Sequence, residues 1–498
     1  MTKDAVSQAA RATGEAIVAE RRVLIFIAAL ASVFITQIES TIVATAMPTI
    51  VGEIGGFDLL SWVFTVYLLT QAVTTPIYGR LADLYGRKPI LLFGMALFLL
   101  GSAACGLSWN MSSLVVFRVI QGLGAGAITP VGRTLIGDVY HGADRARMQG
   151  YVSGVFIGAA VIGPVVGAFL VAHTIWQMVF WINLPFGAIA ATILIFALKE
   201  RIEKRRARID IGGTALLGLG TFVLLFALAQ AAVLPRMWLI GLLALAVAIL
   251  TVFAVYERGV AEPIWPTSLW RDRMSTCGNL VSLALGITMM GIAAYLPVYI
   301  QGVMGDTALV AGFTVMAMSA TSPVGAVLAG RIMLRWSYRA AATTGAVAYI
   351  LGSIMMMMLD AQSGAVWAAA SALLVGFGLG LNNNTYMVAI QAESGWGTRG
   401  IATGVFIFAR ILGQALGAAA FGGIINAGLA RHLAGGGDIV TQIMTPAGRA
   451  KLPADTLATL MGAFGDSLHI VFIVLTVLAC AVMAIGWMLP KGHSIRRT

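Results

Sequence analysis

Residues 23–48 read VLIFIAALASVFITQIESTIVATAMP. Glu39 is the only ionisable side chain between Arg22 and Glu53. A helix of this length spans the hydrocarbon core of a bilayer, about 30 Å at 1.5 Å per residue. The Glu39 carboxyl therefore lies at lipid depth. A charge there costs about 2.5–3.5 kcal/mol on insertion scales, and such groups face a bundle interior or a wet cavity. A carboxyl kept there against that cost marks a proton or cation site.

The rest of the chain has the same character. Of 498 residues, 59% are hydrophobic and 11% charged, against about 25% charged in soluble domains. The apolar runs are continuous and do not alternate, which selects helices over a β-barrel. Hydropathy gives 14 spans, at 23–48, 59–79, 90–108, 112–134, 147–172, 178–198, 211–232, 237–256, 277–302, 308–330, 341–359, 365–391, 400–429 and 467–489. Cys105, Cys277 and Cys480 are far apart in apolar runs, so neither a disulfide framework nor a zinc site is expected. A cleavable signal is not expected, because residues 1–22 are polar and mixed in charge and the first apolar run is a full span.

The net charge of +11 follows from topology. Arg21 and Arg22, Arg80 to Lys88, Arg145 and Arg147, Lys199 to Arg208, Arg258 to Arg273, Arg331 to Arg339, Arg399 and Lys491 to Arg497 all fall on one side if the spans alternate. The other side holds Arg236, Arg431, Arg449 and Lys451. The positive-inside rule puts both termini in the cytoplasm. The basic excess then meets anionic lipid, and nucleic-acid binding is not expected. The chain divides into a tail (1–22), a six-helix bundle (23–198), a basic linker with two additional spans (199–258), a second six-helix bundle (259–490) and a tail (491–498). The longest outer loop, 430–466, is expected to carry a short amphipathic helix.

Five strings carry a family resemblance. GRLADLYGRKP (79–89) joins spans two and three, with Gly79, Asp83, Gly86 and Arg87 spaced for tight helix ends, and Arg87 able to reach Asp138. RVIQGLGAGAITPVGR (118–133) places Arg118 inside the membrane. GVFIGAAVIGPVVGAFL (154–170) contains Gly158, Gly163, Pro164 and Gly167. ESTIVATAMPTI (39–50) and WQMVFWINLPFG (176–187) complete the set. The chain resembles the 14-span drug:proton antiporter branch of the major facilitator superfamily over nearly its whole length. The resemblance implies a cytoplasmic latch at the first string, a proton-coupling arginine at Arg118 and an antiporter motif in span five. It also implies transport without an added cofactor, driven by a proton gradient. Departures are Glu39 where the branch carries Asp, and Ala159 and Ala168 where Gly is common.

Depth supplies Glu39 with a partner. It lies about ten residues before the outer end of its span, and Arg118 about seven after the outer start of span four, so both sit roughly 10–15 Å deep. Burial and a nearby cation act in opposite senses on a carboxyl's proton affinity, so a movement that separates the two changes that affinity.

In the second half, Asn382, Asn383 and Asn384 lie mid-span near the depth of Arg410. Three successive residues cannot share one helix face, so they are expected to divide between a cavity and neighbouring helices. Arg410 has no acidic partner evident in its half. Pairing across the bundles, donation to the Asn run and binding of an anionic substrate group all stay open. Gln37, Gln121, Tyr295 and Gln414 complete the expected lining of a substrate cavity.

The expectation is a monomeric, multi-pass exporter of hydrophobic or amphipathic compounds (drugs, dyes, toxic metabolites) in a bacterial inner membrane, exchanging a small-molecule substrate for protons. The alternative is an exporter of a specific anionic metabolite, lipid or siderophore. An enzyme or ATP-driven pump is disfavoured because HExxH, GxSxG, metal-ligand clusters and nucleotide loops do not occur in the sequence. A channel is disfavoured because nothing resembles a selectivity ring.

Overall fold

The structure, a computed structural model, describes residues 3–139, 142–198, 210–231, 234–260, 272–393, 399–432 and 454–489. The regular elements among them are helices: α1 (Lys3–Ile54), α2 (Leu60–Tyr85), α3 (Arg87–Gly106), α4 (Met111–Val139), α5 (Gly142–His173) and α6 (Met178–Ala197). The chain continues through α7 (Ile211–Ala229), α8 (Arg236–Tyr256), α9 (Arg273–Gly302), α10 (Ala308–Arg335), α11 (Tyr338–Met357), α12 (Gly364–Glu393), α13 (Arg399–His432) and α14 (Ala454–Trp487). Thirteen of these are long and apolar enough to cross a membrane. The other, α5, is a helix of 32 residues whose stretch Gly158–His173 is apolar. The protein is a multi-pass membrane protein with all its regular structure helical among the described residues.

The packing repeats. In the first lobe α2 and α3 pack on α4, and α1 packs on α5 and α6; in the second, α10 and α11 pack on α12, and α9 packs on α13 and α14. The lobes meet through α2 with α13, α5 with α10, and α1 with α9. These pairings interchange when the lobes are exchanged, which is the pseudo-two-fold relation of two six-helix bundles. The additional pair sits at one seam: α7 touches both α2 and α13, and α8 packs on α7.

Two faces are defined by the connections. The first carries residues 55–59, 107–110, 174–177, 303–307 and 358–363; the second carries 86 and 336–337. Glycines close some of these turns, with Gly55, Gly56, Gly86, Gly305 and Gly364 at positive φ between 72° and 95°. On the first face the lobes touch directly. Asn426 Nδ2 donates to the Asp58 carbonyl at 3.0 Å. The Phe57 and Phe464 rings meet edge to face at 5.5 Å. A Cβ on Gly422 would lie 2.2 Å from Ser61 Cβ, and one on Gly312 would lie 2.7 Å from the Pro164 carbonyl oxygen.

Three expectations change. Helix α1 begins at Lys3 and ends at Ile54, well beyond span 23–48, because residues 3–22 contain no proline and a single glycine to stop it. Helix α14 starts at Ala454, so the second part of the expected outer loop is its first turns; the sequence ADTLATLM is helix-forming and follows Pro453. The rest of that loop and the basic linker 199–209 lie outside the described residues. Finally, the sixth span is helical but interrupted at Ile182, between Met178–Trp181 and Asn183–Ala197, with Pro185 in the first turn of the second piece.

Candidate functional site

Glu39 and Arg118 are brought together. Arg118 enters from the third turn of α4, and its Nη1 donates both to Glu39 Oε1 and, at 2.7 Å, to Gln121 Oε1. Its Nε donates to the Val63 carbonyl on α2 at 3.1 Å, and its Cζ lies 3.9 Å from the centre of the Tyr67 ring. Neither Glu39 nor Arg118 reaches solvent. The guanidinium is thus held by three helices, with a cation–π face on one side and a carboxylate on the other.

Behind the pair the network runs into α3 and α6. Gln121 Nε2 donates to Ser102 Oγ at 2.8 Å, Asn183 Nδ2 reaches the same oxygen at 3.5 Å, and Cys105 Sγ lies 3.7 Å from Gln121 Oε1. Two polar atoms are left over: Glu39 Oε2 and Tyr67 Oη are buried without a hydrogen-bond partner. An unsatisfied carboxylate oxygen at this depth is costly when ionised. Sequence reading had singled out Glu39, Arg118 and Gln121 but not Ser102, Tyr67 or Asn183. Their one signal was polarity inside apolar runs, shared with many serines and threonines that bond only to their own helix.

Close helix approach makes the cluster possible. A Cβ on Gly122 would sit 2.0 Å from Thr70 Oγ1, and one on Gly126 would sit 2.1 Å from Thr74 Oγ1, so α4 lies hard against α2. On its other side a Cβ on Gly124 would sit 2.3 Å from the Phe98 nitrogen of α3.

The antiporter-motif residues divide. Gly163 and Gly167 receive α1, since Cβ atoms there would lie 1.9 Å from Thr41 Oγ1 and 2.5 Å from the Ile42 carbonyl oxygen. Pro164 faces α10 through Gly312, and Gly158 has open space around it. In the latch string, Gly79 also has open space, Gly86 takes a φ of 95° between α2 and α3, and Arg87 opens α3. The side chains of Asp83 and Asp138 lie outside the described residues. Lys88 Nζ donates to the carbonyls of Ile195 and Leu198 at 2.7 Å each, capping the end of α6.

The three asparagines separate as helix geometry requires. Asn382 Nδ2 donates to the Gly378 carbonyl on its own helix at 3.0 Å, and Asn384 Nδ2 donates to the Ala326 carbonyl of α10 at 2.8 Å. Asn383 is half-buried, and its Oδ1 has no partner. Arg410 is also half-buried with an unpartnered Nε, and no hydrogen bond joins it to the asparagines. One turn on, Gln414 Nε2 lies 3.3 Å from Met289 Sδ on α9. Gln37 is half-buried on α1. Tyr295 is fully buried beside the first-face seam, donating to the Ala418 carbonyl at 2.8 Å. It belongs to the lobe contact, next to a gap lined by Phe57, Ser61, Gly422 and Asn426. No group of three or more His, Cys, Asp or Glu side chains placed to hold a metal occurs among the described residues.

Two six-helix lobes, a seam between them and a buried ion pair inside one lobe define a membrane transporter rather than an enzyme. Residues 29–418 match the family model of the Major Facilitator Superfamily, and the chain belongs to that family. It is 33% identical over 396 residues to multidrug resistance protein 3 of Bacillus subtilis (strain 168), covering 79% of this chain and 77% of that one. It is 32% identical over 411 residues to the multidrug transporter protein MdtP of the same organism, covering 82% and 76%. Among solved structures, an inward-facing, occupied bacterial homologue of the human lysosomal transporter Spinster superposes with a TM-score of 0.67 at 13% identity, over 94% of this chain and 96% of that one.

Proposed function

We propose that the protein exports hydrophobic or amphipathic compounds in exchange for protons, with Glu39 as the carboxyl that carries the proton. The observation behind this reading is the state of Glu39: one oxygen bonded to Arg118, the other buried and unpartnered. Protonation removes the charge that holds Arg118. The guanidinium then keeps Gln121, Val63 and the Tyr67 ring, and α1 is released from α4. Loading and unloading a proton is thereby tied to helix movement within the first lobe. The names of the two Bacillus relatives support multidrug substrates.

The positive-inside distribution assigns the second face to the cytoplasm. With the lobes in contact at the first face, the described conformation is then closed to the outside. Each proton moving inward down 100 mV contributes about 2.3 kcal/mol, besides the pH gradient. The test is transport in proteoliposomes with an imposed proton gradient, comparing the native chain with Glu39→Gln. Gradient-driven accumulation of a lipophilic dye by the native chain, with dye binding kept and accumulation lost in Glu39→Gln, is the expected result. Undiminished gradient-driven accumulation by Glu39→Gln would refute the coupling role.

A further inference from the structure

The string WQMVFWINLPFG (176–187) carries no charge, yet it breaks α6 at Ile182 and sets an asparagine inside the lobe. Proton transfer at Glu39 does not itself use this string. Its contacts with α3 follow one another along the chain. A Cβ on Gly106 would lie 2.1 Å from Trp181 Nε1, and that Nε1 donates to the Ala103 carbonyl at 3.4 Å. A Cβ on Gly187 would lie 2.4 Å from Leu99 Cδ2. Between these contacts Asn183 Nδ2 donates to Ser102 Oγ at 3.5 Å. The interrupted helix is thus fitted against α3 on both sides of Asn183, at the level of Ser102.

Helix α3 in turn presses on α4. A Cβ on Gly101 would lie 2.6 Å from the backbone nitrogen and Cα of Gln121, and the next residue, Ser102, accepts from Gln121 Nε2 at 2.8 Å. Ser102, Gln121 and Asn183 are all buried. A guanidinium only donates, so the Gln121 atom that meets Arg118 Nη1 at 2.7 Å is its oxygen. The amide NH2 then needs an acceptor on its far side, and Ser102 Oγ is that acceptor. The second lone pair of the same oxygen takes Asn183. A rotated amide would set N–H against N–H at Arg118. Cys105, one turn after Ser102, lies 3.7 Å from Gln121 Oε1 and cannot replace the serine, because it sits at the oxygen end of the amide. Arg118 Nη1 therefore divides its hydrogens between a neutral oxygen on Gln121 and the carboxylate of Glu39. How firmly the Gln121 amide is held decides that division.

We propose that Ser102 and Asn183 are positioning residues for proton exchange: they hold the Gln121 amide with its oxygen on Arg118, and so set how much of the guanidinium is left to Glu39. Neither touches the proton. The proposal rests on the reading of Glu39 as the proton carrier and deepens it, by adding a line of control from α6 through α3 to α4 and by giving the break in α6 a task. With the amide released, Arg118 is still placed by the Val63 carbonyl and the Tyr67 ring, and Nη1 turns fully to Glu39. A carboxylate with more of a cation beside it takes its proton from a more acid medium.

The test is accumulation of a lipophilic dye by the full chain in proteoliposomes. The pH difference across the membrane is held fixed while both pH values are moved together, and the midpoint of the pH profile is read. Ser102→Ala is expected to move that midpoint by about one pH unit to the acid side, the scale of one hydrogen bond to a charged group. Ser102→Thr keeps the oxygen and should keep the native midpoint. Asn183→Ala should move it the same way by less. Gln121→Ala should move it as Ser102→Ala does, and Ser102→Ala added to Gln121→Ala should move it no further, because Ser102 acts through Gln121. Dye binding in detergent reports folding and should be unchanged in each variant. A merely structural role would lower rates and melting temperatures at a native midpoint. That result, or shifts of Ser102→Ala and Gln121→Ala that add in full, would overturn the proposal. If Ser102→Ala did not bind dye, Asn183→Ala would decide, and a native midpoint there would overturn it. Glu39→Gln in the same vesicles separates the two readings. Loss of accumulation in Glu39→Gln with a native midpoint in Ser102→Ala overturns the positioning role alone. Full accumulation by Glu39→Gln overturns the coupling reading and the positioning role with it.

Discussion

At the scale of single residues, the Glu39–Arg118 pair is unequal in what its members tolerate. Removing one partner of a buried, hydrogen-bonded ion pair typically costs about 3–5 kcal/mol, because the other charge is left alone. Glu39→Gln removes the counter-charge but leaves Arg118 its bonds to Gln121, Val63 and the Tyr67 ring, whereas Arg118→Leu strips the partner from Glu39, Gln121 and Val63 at once. The melting temperature of detergent-solubilised protein should therefore fall clearly further for Arg118→Leu than for Glu39→Gln. Equal losses would mean that the Glu39 counter-charge, rather than the contacts with Gln121, Val63 and Tyr67, holds this part of the lobe. Glu39 and Arg118 were legible in the sequence because charge inside an apolar run is rare and because depth can be counted along a helix. Tyr67 was not: it is one aromatic among several in its apolar run, and only the packing of α2 on α4 brings its ring to the guanidinium.

At the scale of helices, the structure sorts glycines that the sequence could only group. The apolar runs of span five predict a membrane helix with a proline, and α5 is that helix. Which glycines receive a neighbour depends on the rotation of α5 about its axis, which small-residue spacing alone does not determine. Gly163 and Gly167 face α1, and Gly158 faces open space. Overpacking of a close contact costs about 1–3 kcal/mol. Gly163→Ala and Gly167→Ala are accordingly expected to lower the melting temperature and folded yield in fluorescence-detected size-exclusion chromatography, and Gly158→Ala to change neither. A loss with Gly158→Ala equal to the other two would point to a close approach there in another conformation. The same limit applied to the Asn run: alternation of faces was predictable, while the partners of Asn382 and Asn384 depended on the neighbouring helices.

At the scale of the whole molecule, the span count and the paired bundles were legible because bilayer thickness imposes a length on every helix. The conformation was not, since sequence periodicity does not distinguish one rocking state from another. The contacts of Asp58 with Asn426 and of Phe57 with Phe464 identify the first face as the closed one. Transport by alternating access requires these contacts to break. A chain carrying Asp58→Cys and Asn426→Cys is expected to cross-link under mild oxidation and to stop transporting, with activity restored by a reductant. The cross-link can be read as altered migration after proteolysis at a site inserted within residues 199–209. Full transport by a cross-linked chain would show that this face does not need to open.

The position of α7 also makes the molecule's two flanks unlike. One seam, where α2 meets α13, is bridged: Gly218 of α7 faces Val73 of α2, and the Leu228 carbonyl meets Gly423 of α13. The opposite seam, α5 against α10, has no such cover among the described residues. Lipid tails are kept from the first seam and can reach the second. A lipophilic compound dissolved in the bilayer would therefore meet the lobe interface directly on one flank only, a handedness that the pseudo-symmetry of the bundles conceals.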